Sequence, residues 1–118
     1  MKKDASPSGS TPRPDRSNVL PLEGEIDLHV SPSVTALLND MIEQKPERLV
    51  VDLSRVTYID SAGLAALIGA MQRVEGYGGK FLLAGLQQTI CDIVESLRLD
   101  QVFQVFPDAA AALAADLT

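Results

Sequence analysis

Tryptophan is absent, and two Tyr with three Phe bring the aromatic share to only 4%. A platform for stacking bases is therefore missing. Positive charge is scarce as well: 10 Lys plus Arg stand against 16 Asp plus Glu, a net charge of -6 with a pI of about 4.6. That sign opposes binding to a phosphate backbone, which excludes nucleic acid as a partner. One cysteine, Cys91, makes no internal disulfide, and with the single histidine, His29, it falls short of a four-ligand zinc site without several carboxylates. No apolar run approaches the ~18 residues of a membrane span. The Met1-Lys2-Lys3 start imitates the head of a signal peptide, yet residues 4–18 hold no apolar stretch to follow it. GxxxxGKS/T and GxGxxG loops are missing, and the glycines at 76, 78 and 79 precede a strand, the wrong order for cradling a phosphate. Internal repeats are missing too. What remains is a chain of 118 residues, 46% hydrophobic, sized for one core and expected in the cytoplasm without direct membrane contact.

Residues 1–18 carry Ser, Pro and basic residues (Lys2, Lys3, Arg13, Arg16) with almost nothing to bury, and read as a disordered tail. Without that +2 segment, residues 19–118 carry -8. From Val19 onward short strands alternate with amphipathic helices. Val19, Leu20, Leu22 and Ile26 mark a first strand, and Pro21 and Gly24 place it near a sheet edge. Val34, Leu37, Leu38, Met41 and Ile42 form one helical stripe, with Ser31 as expected N-cap, Pro32 at the first helical position and Pro46 as stop. RLVVDL at 48–53 is a branched, buried strand. Leu64, Leu67, Ile68, Met71 and Val74 repeat the helical spacing. A third strand at 81–84, a helix built on Ile90, Ile93, Val94 and Leu97, and a fourth strand at 102–106 follow. Pro107 is expected at the first position of an alanine-rich last helix. The predicted class is α/β: one domain over 19–118, with a mostly parallel sheet of four to five strands and about four helices.

Chemistry concentrates at Thr57-Tyr58-Ile59-Asp60-Ser61-Ala62-Gly63-Leu64, where a strand hands over to the second helix. Ser61 is the expected N-cap, close to unpaired N–H groups and the positive helix pole, where a phosphate is tolerated. It is equally placed for ordinary structural capping. Asp60 complements the dipole by position alone. Gly63 in the first turn costs about 0.5–1 kcal/mol relative to alanine, which hints at close approach by another backbone or by an external partner. If the strands are parallel, Asp27 after the first strand becomes a neighbour of Ser61 at the sheet edge where α/β folds bind ligands. Asp27 and His29 can instead be solvated loop residues, and Cys91 a half-buried structural thiol.

A nucleophile elbow is the best enzymatic alternative, since Ser61 follows a strand, opens a helix and precedes Gly63 by two. Ile59 crowds the corresponding upstream position, however, and the lone histidine lies in another loop. An ester-cleaving Ser61 is therefore the minority reading.

EGEID at 23–27, VVDLS at 50–54, YIDSAGL at 58–64, AGL at 84–86 and LRLDQVFQVF at 97–106 together resemble the STAS domain of bacterial anti-sigma factor antagonists. The resemblance runs over about residues 19–117. It implies that Ser61 is phosphorylated by an anti-sigma factor that is also an ATP-dependent serine kinase, and that a PP2C-type phosphatase restores it. The unphosphorylated antagonist binds the anti-sigma factor and frees the sigma factor. Asp27, Asp60, Ser61, Ala62 and Gly63 are the expected partner-binding positions; enzyme activity, cofactors and metals are not implied. STAS-like domains also serve as structural or regulatory subunits of membrane lipid or anion transport complexes, which is the alternative. Family members usually begin with an extra strand, whereas this chain has its Pro- and Ser-rich tail there.

Overall fold

The computed structural model describes residues 17–117. Strands and helices alternate as β1 (Ser17–Ile26), α1 (Ser31–Ile42), β2 (Arg48–Ile59), α2 (Ser61–Gly76), β3 (Lys80–Ala84), α3 (Gln88–Ser96), β4 (Gln104–Phe106) and α4 (Ala109–Ala114), with a 3-10 turn at Leu99–Gln101. The strands lie in the order β1-β2-β3-β4, and every neighbouring pair is parallel. Stepping one strand at a time with right-handed crossovers places the connecting helices on one face. Leu38 of α1, Leu67 and Val74 of α2, and Ile90 of α3 share that face with Leu49, Val51 and Leu53 of β2 and Phe81 and Leu83 of β3.

The alternate residues point the other way. Val50, Leu82 and Ala84 are buried beneath Ala112 of α4. Strands covered on both faces need apolar residues at consecutive positions, which is why LVV and FLLA read as unbroken runs. Arg48 fastens the short cover. Its guanidinium donates to Ala112 O and Leu113 O at 2.8 Å each and also to Ala115 O, carbonyls that a helix C-terminus leaves unpaired.

Several boundaries differ from expectation. β1 begins at Ser17, inside the segment assigned to the tail, and it lies at the sheet edge as Pro21 and Gly24 indicated. The extra strand with which family members usually begin would precede β1, and that stretch lies outside the described residues. β2 runs to Ile59 because pairing with β1 resumes at Arg55 and continues to Ile59 after β3 has ended. β4 is shorter than 102–106, since the 3-10 turn takes up the preceding chain. Pro107 precedes the N-cap of α4, a place filled by Asp108. Ser31 is the first helical residue of α1 with Val30 as N-cap, and the capping work passes to Asp27.

Candidate functional site

The ends of β1 and β2 lie side by side, with Ile26 paired to Ile59, so the loop after β1 abuts the start of α2. Asp27 organises its own loop: Oδ1 accepts from His29 N at 2.9 Å and Val30 N at 3.2 Å, while its carbonyl accepts from Val30 N and Ser31 N. This is a side chain standing in for a backbone turn. His29 is exposed, in keeping with a solvated loop residue.

Asp60, and not Ser61, caps α2. Its Oδ1 accepts from Gly63 N at 3.0 Å, the usual N-cap bond to the third helical residue. The other oxygen, Oδ2, accepts from Leu28 N at 3.1 Å, and the Asp60 N–H donates to Ile26 O at 3.2 Å. The residues on both sides of Asp27 are thus tied to Asp60. One half-buried carboxylate clasps two loops, and hydrogen bonds to an ionised acceptor contribute about 1.5–3 kcal/mol each.

With capping done by its neighbour, Ser61 is released to the first helical position and is exposed. Its side chain hydrogen-bonds no other group among the described residues. Ala62 is half-buried beside it. Gly63 is buried, and the close approach it permits is internal: a Cβ there would meet Ile26 O at 2.5 Å and Ile59 Cγ1 at 2.7 Å. The glycine lets α2 seat against the end of β1, so of the two approaches considered for this position the structure shows the one by another backbone.

Sequence reasoning gave no role to three apolar residues that the structure leaves exposed. Leu28 is 68% exposed and Tyr58 47% exposed, and both flank the clasped loops in sequence. Leu37 lies on the apolar stripe of α1 yet is 47% exposed. Leu28 next to Asp27 is an apolar residue in a polar loop, a signal that was available. Its backbone bond to Asp60 has no sequence signal at all. An ion pair between Arg55 and Glu23 at 3.9 Å is almost fully solvated and contributes little.

Ser61 does not stand in the turn of a nucleophile elbow. A nucleophile elbow places its serine in a strained turn, whereas the non-glycine residues at positive φ among those described are Lys45 and Arg98. Among the described residues no cluster of three His, Cys, Asp or Glu could hold a metal ion. No helix among them is long and apolar enough to cross a membrane.

A family model described as the STAS domain matches residues 10–112. The anti-sigma-B factor antagonist of Listeria monocytogenes is 30% identical over 84 residues, covering 70% of this chain and 72% of that protein. Among solved structures, an anti-sigma factor antagonist from Mycobacterium paratuberculosis superposes with a TM-score of 0.76 at 26% identity, covering 84% of each chain. The fold recurs in a sulfate transporter family protein from Wolinella succinogenes, with a TM-score of 0.74 at 24% identity over 86% of this chain and 84% of that one. The parallel sheet, the DSAGL turn clasped to the β1 loop and these matches agree: this chain belongs to the STAS domain family.

Proposed function

We propose that this protein is a cytoplasmic anti-sigma factor antagonist whose binding is switched by phosphorylation of Ser61. The observation that carries the reading is the exposed Ser61 hydroxyl at the first helical position of α2, relieved of capping by Asp60. The unphosphorylated form binds an anti-sigma factor that is also a serine kinase, and thereby frees a sigma factor. A PP2C-type phosphatase resets the switch. The chain itself acts as a binding module with no reaction of its own.

The physics suits an exchange of partners without unfolding. Phosphate adds about -1.5 to -2 charge and three acceptor oxygens. At Ser61 those oxygens lie at the positive pole of a 16-residue helix, which offsets the nearby carboxylates of Asp60 and Asp27. Across an interface, one added negative charge about 6 Å from a partner carboxylate costs roughly 1.4–2.8 kcal/mol at an effective dielectric of about 20–40. That is about tenfold to over a hundredfold in affinity.

Incubation with ATP and the cognate anti-sigma factor kinase is expected to place a single phosphate on Ser61, located by peptide mass spectrometry, and none on a Ser61→Ala variant. Phosphate on Thr57 or Ser54 instead would contradict the assignment. A transporter subunit, the alternative shared by this fold, would co-purify with a membrane complex whatever the state of Ser61.

A further inference from the structure

The two edges of the sheet are unlike. At β1, Pro21 offers no N–H, and register shifts between Pro21 and Glu23 and between Gly24 and Glu25 break the regular repeat, so that edge is unsuited to extending the sheet. At the other edge β4 runs without proline or bulge, and among the described residues it pairs with β3 alone. Three large apolar side chains stand exposed around it: Leu97 at 55%, Val102 at 47% and Val105 at 40%. Val105 is paired with Leu83, which belongs to the core beneath the connecting helices. It therefore projects on the face that carries α3, whose C-cap is Leu97.

The backbone decides what this edge can accept. The Phe106 carbonyl accepts from Gly85 N at 3.0 Å, so Phe106 turns its polar groups toward β3. Successive residues of a strand turn theirs to opposite sides, which leaves the N–H and C=O of Val105 facing outward. The ladder cannot lengthen from there. Two residues on, Pro107 has no N–H, and two residues back the Phe103 N–H donates to Leu99 O at 2.8 Å. What suits such an edge is another single residue with both groups free, exchanging two bonds as the hydrogen-bonded pair of an antiparallel ladder does. A two-fold axis beside Val105 supplies that residue from an identical chain.

We propose that two copies of this chain join edge to edge through β4, Val105 exchanging both backbone bonds with Val105 of the second copy, into one sheet that runs across both molecules. The axis stands perpendicular to the sheet, so both helix layers lie on one face and the exposed Leu97, Val102 and Val105 of the two copies converge along the seam. Charge favours this occupant. The chain carries a net -6, so copies repel wherever acidic surfaces meet, yet residues 101–107 (Gln-Val-Phe-Gln-Val-Phe-Pro) hold no charged side chain. Residues 1–16 fit less well, with three prolines and no Val, Ile, Leu or aromatic residue to form a strand or cover an apolar cluster. An extended peptide of another protein finds the same two backbone bonds without the matching apolar cluster. Because the β1 edge is broken, the assembly closes at two copies and does not grow into a filament. Ser61 follows β2, two strands from the seam, and stays open in each copy, so the pairing stands independently of the reading of that serine.

Sedimentation of the full chain over about 10 µM to about 1 mM tests the pairing, since a seam of two hydrogen bonds and a small apolar cluster forms a weak dimer. The mass is expected to rise with concentration from 12.6 kDa toward twice that value and no further. Val105→Lys sets two like charges opposite each other, and Val105→Pro removes the outward N–H while sparing every bond to β3. Both are expected to raise the dissociation constant about tenfold or more, and Val105→Lys to melt within a few degrees of wild type because the side chain is exposed. A photo-cross-linking residue at the exposed position 104 is expected to join residues 104–107 of a second copy, told apart from its own chain by mixing isotope-labelled and unlabelled protein. A mass that stays at one chain up to about 1 mM overturns the proposal. So does self-association undiminished in Val105→Lys, growth beyond two copies, or cross-links confined to residues 1–16.

Discussion

Helices α2 and α4 begin with the same device. Asp60 Oδ1 accepts from Gly63 N at 3.0 Å, and Asp108 Oδ1 accepts from Ala111 N at 2.7 Å. In each an aspartate in extended conformation caps the third helical residue. The first helical residue differs: Ser61 in α2, Ala109 in α4. The third differs too, Gly63 against Ala111. Since α4 is capped without a hydroxyl at the first position, capping does not require one, and Ser61 is surplus to the architecture of its helix. Gly63 is not surplus. It answers to the backbone oxygen of Ile26.

Substitutions at matched positions separate these roles. Gly63→Ala is expected to have the largest effect, toward the upper end of the ~1–3 kcal/mol typical of overpacking, because the first atom met is a backbone oxygen. The mirror change, Ala111→Gly, is expected to cost only about 0.5–1 kcal/mol through backbone freedom. Thermal unfolding of the pair gives the difference, and equal losses would show that Gly63 has no special packing role. Next comes Asp60→Ala against Asp108→Ala. Loss of a cap costs about 0.5–2 kcal/mol in either helix, but Asp60→Ala also gives up the bond to the exposed Leu28 N, so it is expected to fall about 0.5–1 kcal/mol further. Amide exchange at Leu28 should accelerate in the same variant.

Smallest in stability is Ser61→Ala, expected within about ±0.5 kcal/mol of wild type, as for other surface changes that remove no cap. Ala109→Ser is its partner. It gives α4 the same Asp-Ser pair without an Asp27 loop beside it, and it is expected to fold normally and to stay unphosphorylated by the kinase proposed to modify Ser61. Modification at residue 109 as fast as at Ser61 would show that the capped Asp-Ser pair alone directs the kinase.

How much of this was legible in the sequence depends on the range of the forces involved. The order of elements was legible because periodicity is local: Leu64, Leu67, Met71 and Val74 all lie on the buried stripe of α2. That the loop after β1 meets the start of α2 followed from parallel strands alone. The identity of the α2 cap did not, because Asp60 and Ser61 are adjacent and both are favoured there. What settles it is the Leu28 N–H, which gives Asp60 a second partner 32 residues away. Gly63 was noticed for its conformational cost, and only the position of Ile26 reveals what that cost is for. Arg48 went unnoticed, since the carbonyls it holds are 64 to 67 residues distant. Leu37 sits on a regular apolar stripe, where spacing cannot distinguish a residue covered by the fold from one left open.

A dianion at Ser61 should alter what the protein binds and leave how it folds untouched. Affinity for the anti-sigma factor, measured by calorimetry on the unphosphorylated and the Ser61-phosphorylated protein together with the melting temperature of each, addresses that claim most directly. The expected result is binding about tenfold to over a hundredfold weaker in the phosphorylated form, with melting temperatures that agree within a few degrees. Equal affinities, or weakened binding that comes with a collapse in melting temperature, would contradict it.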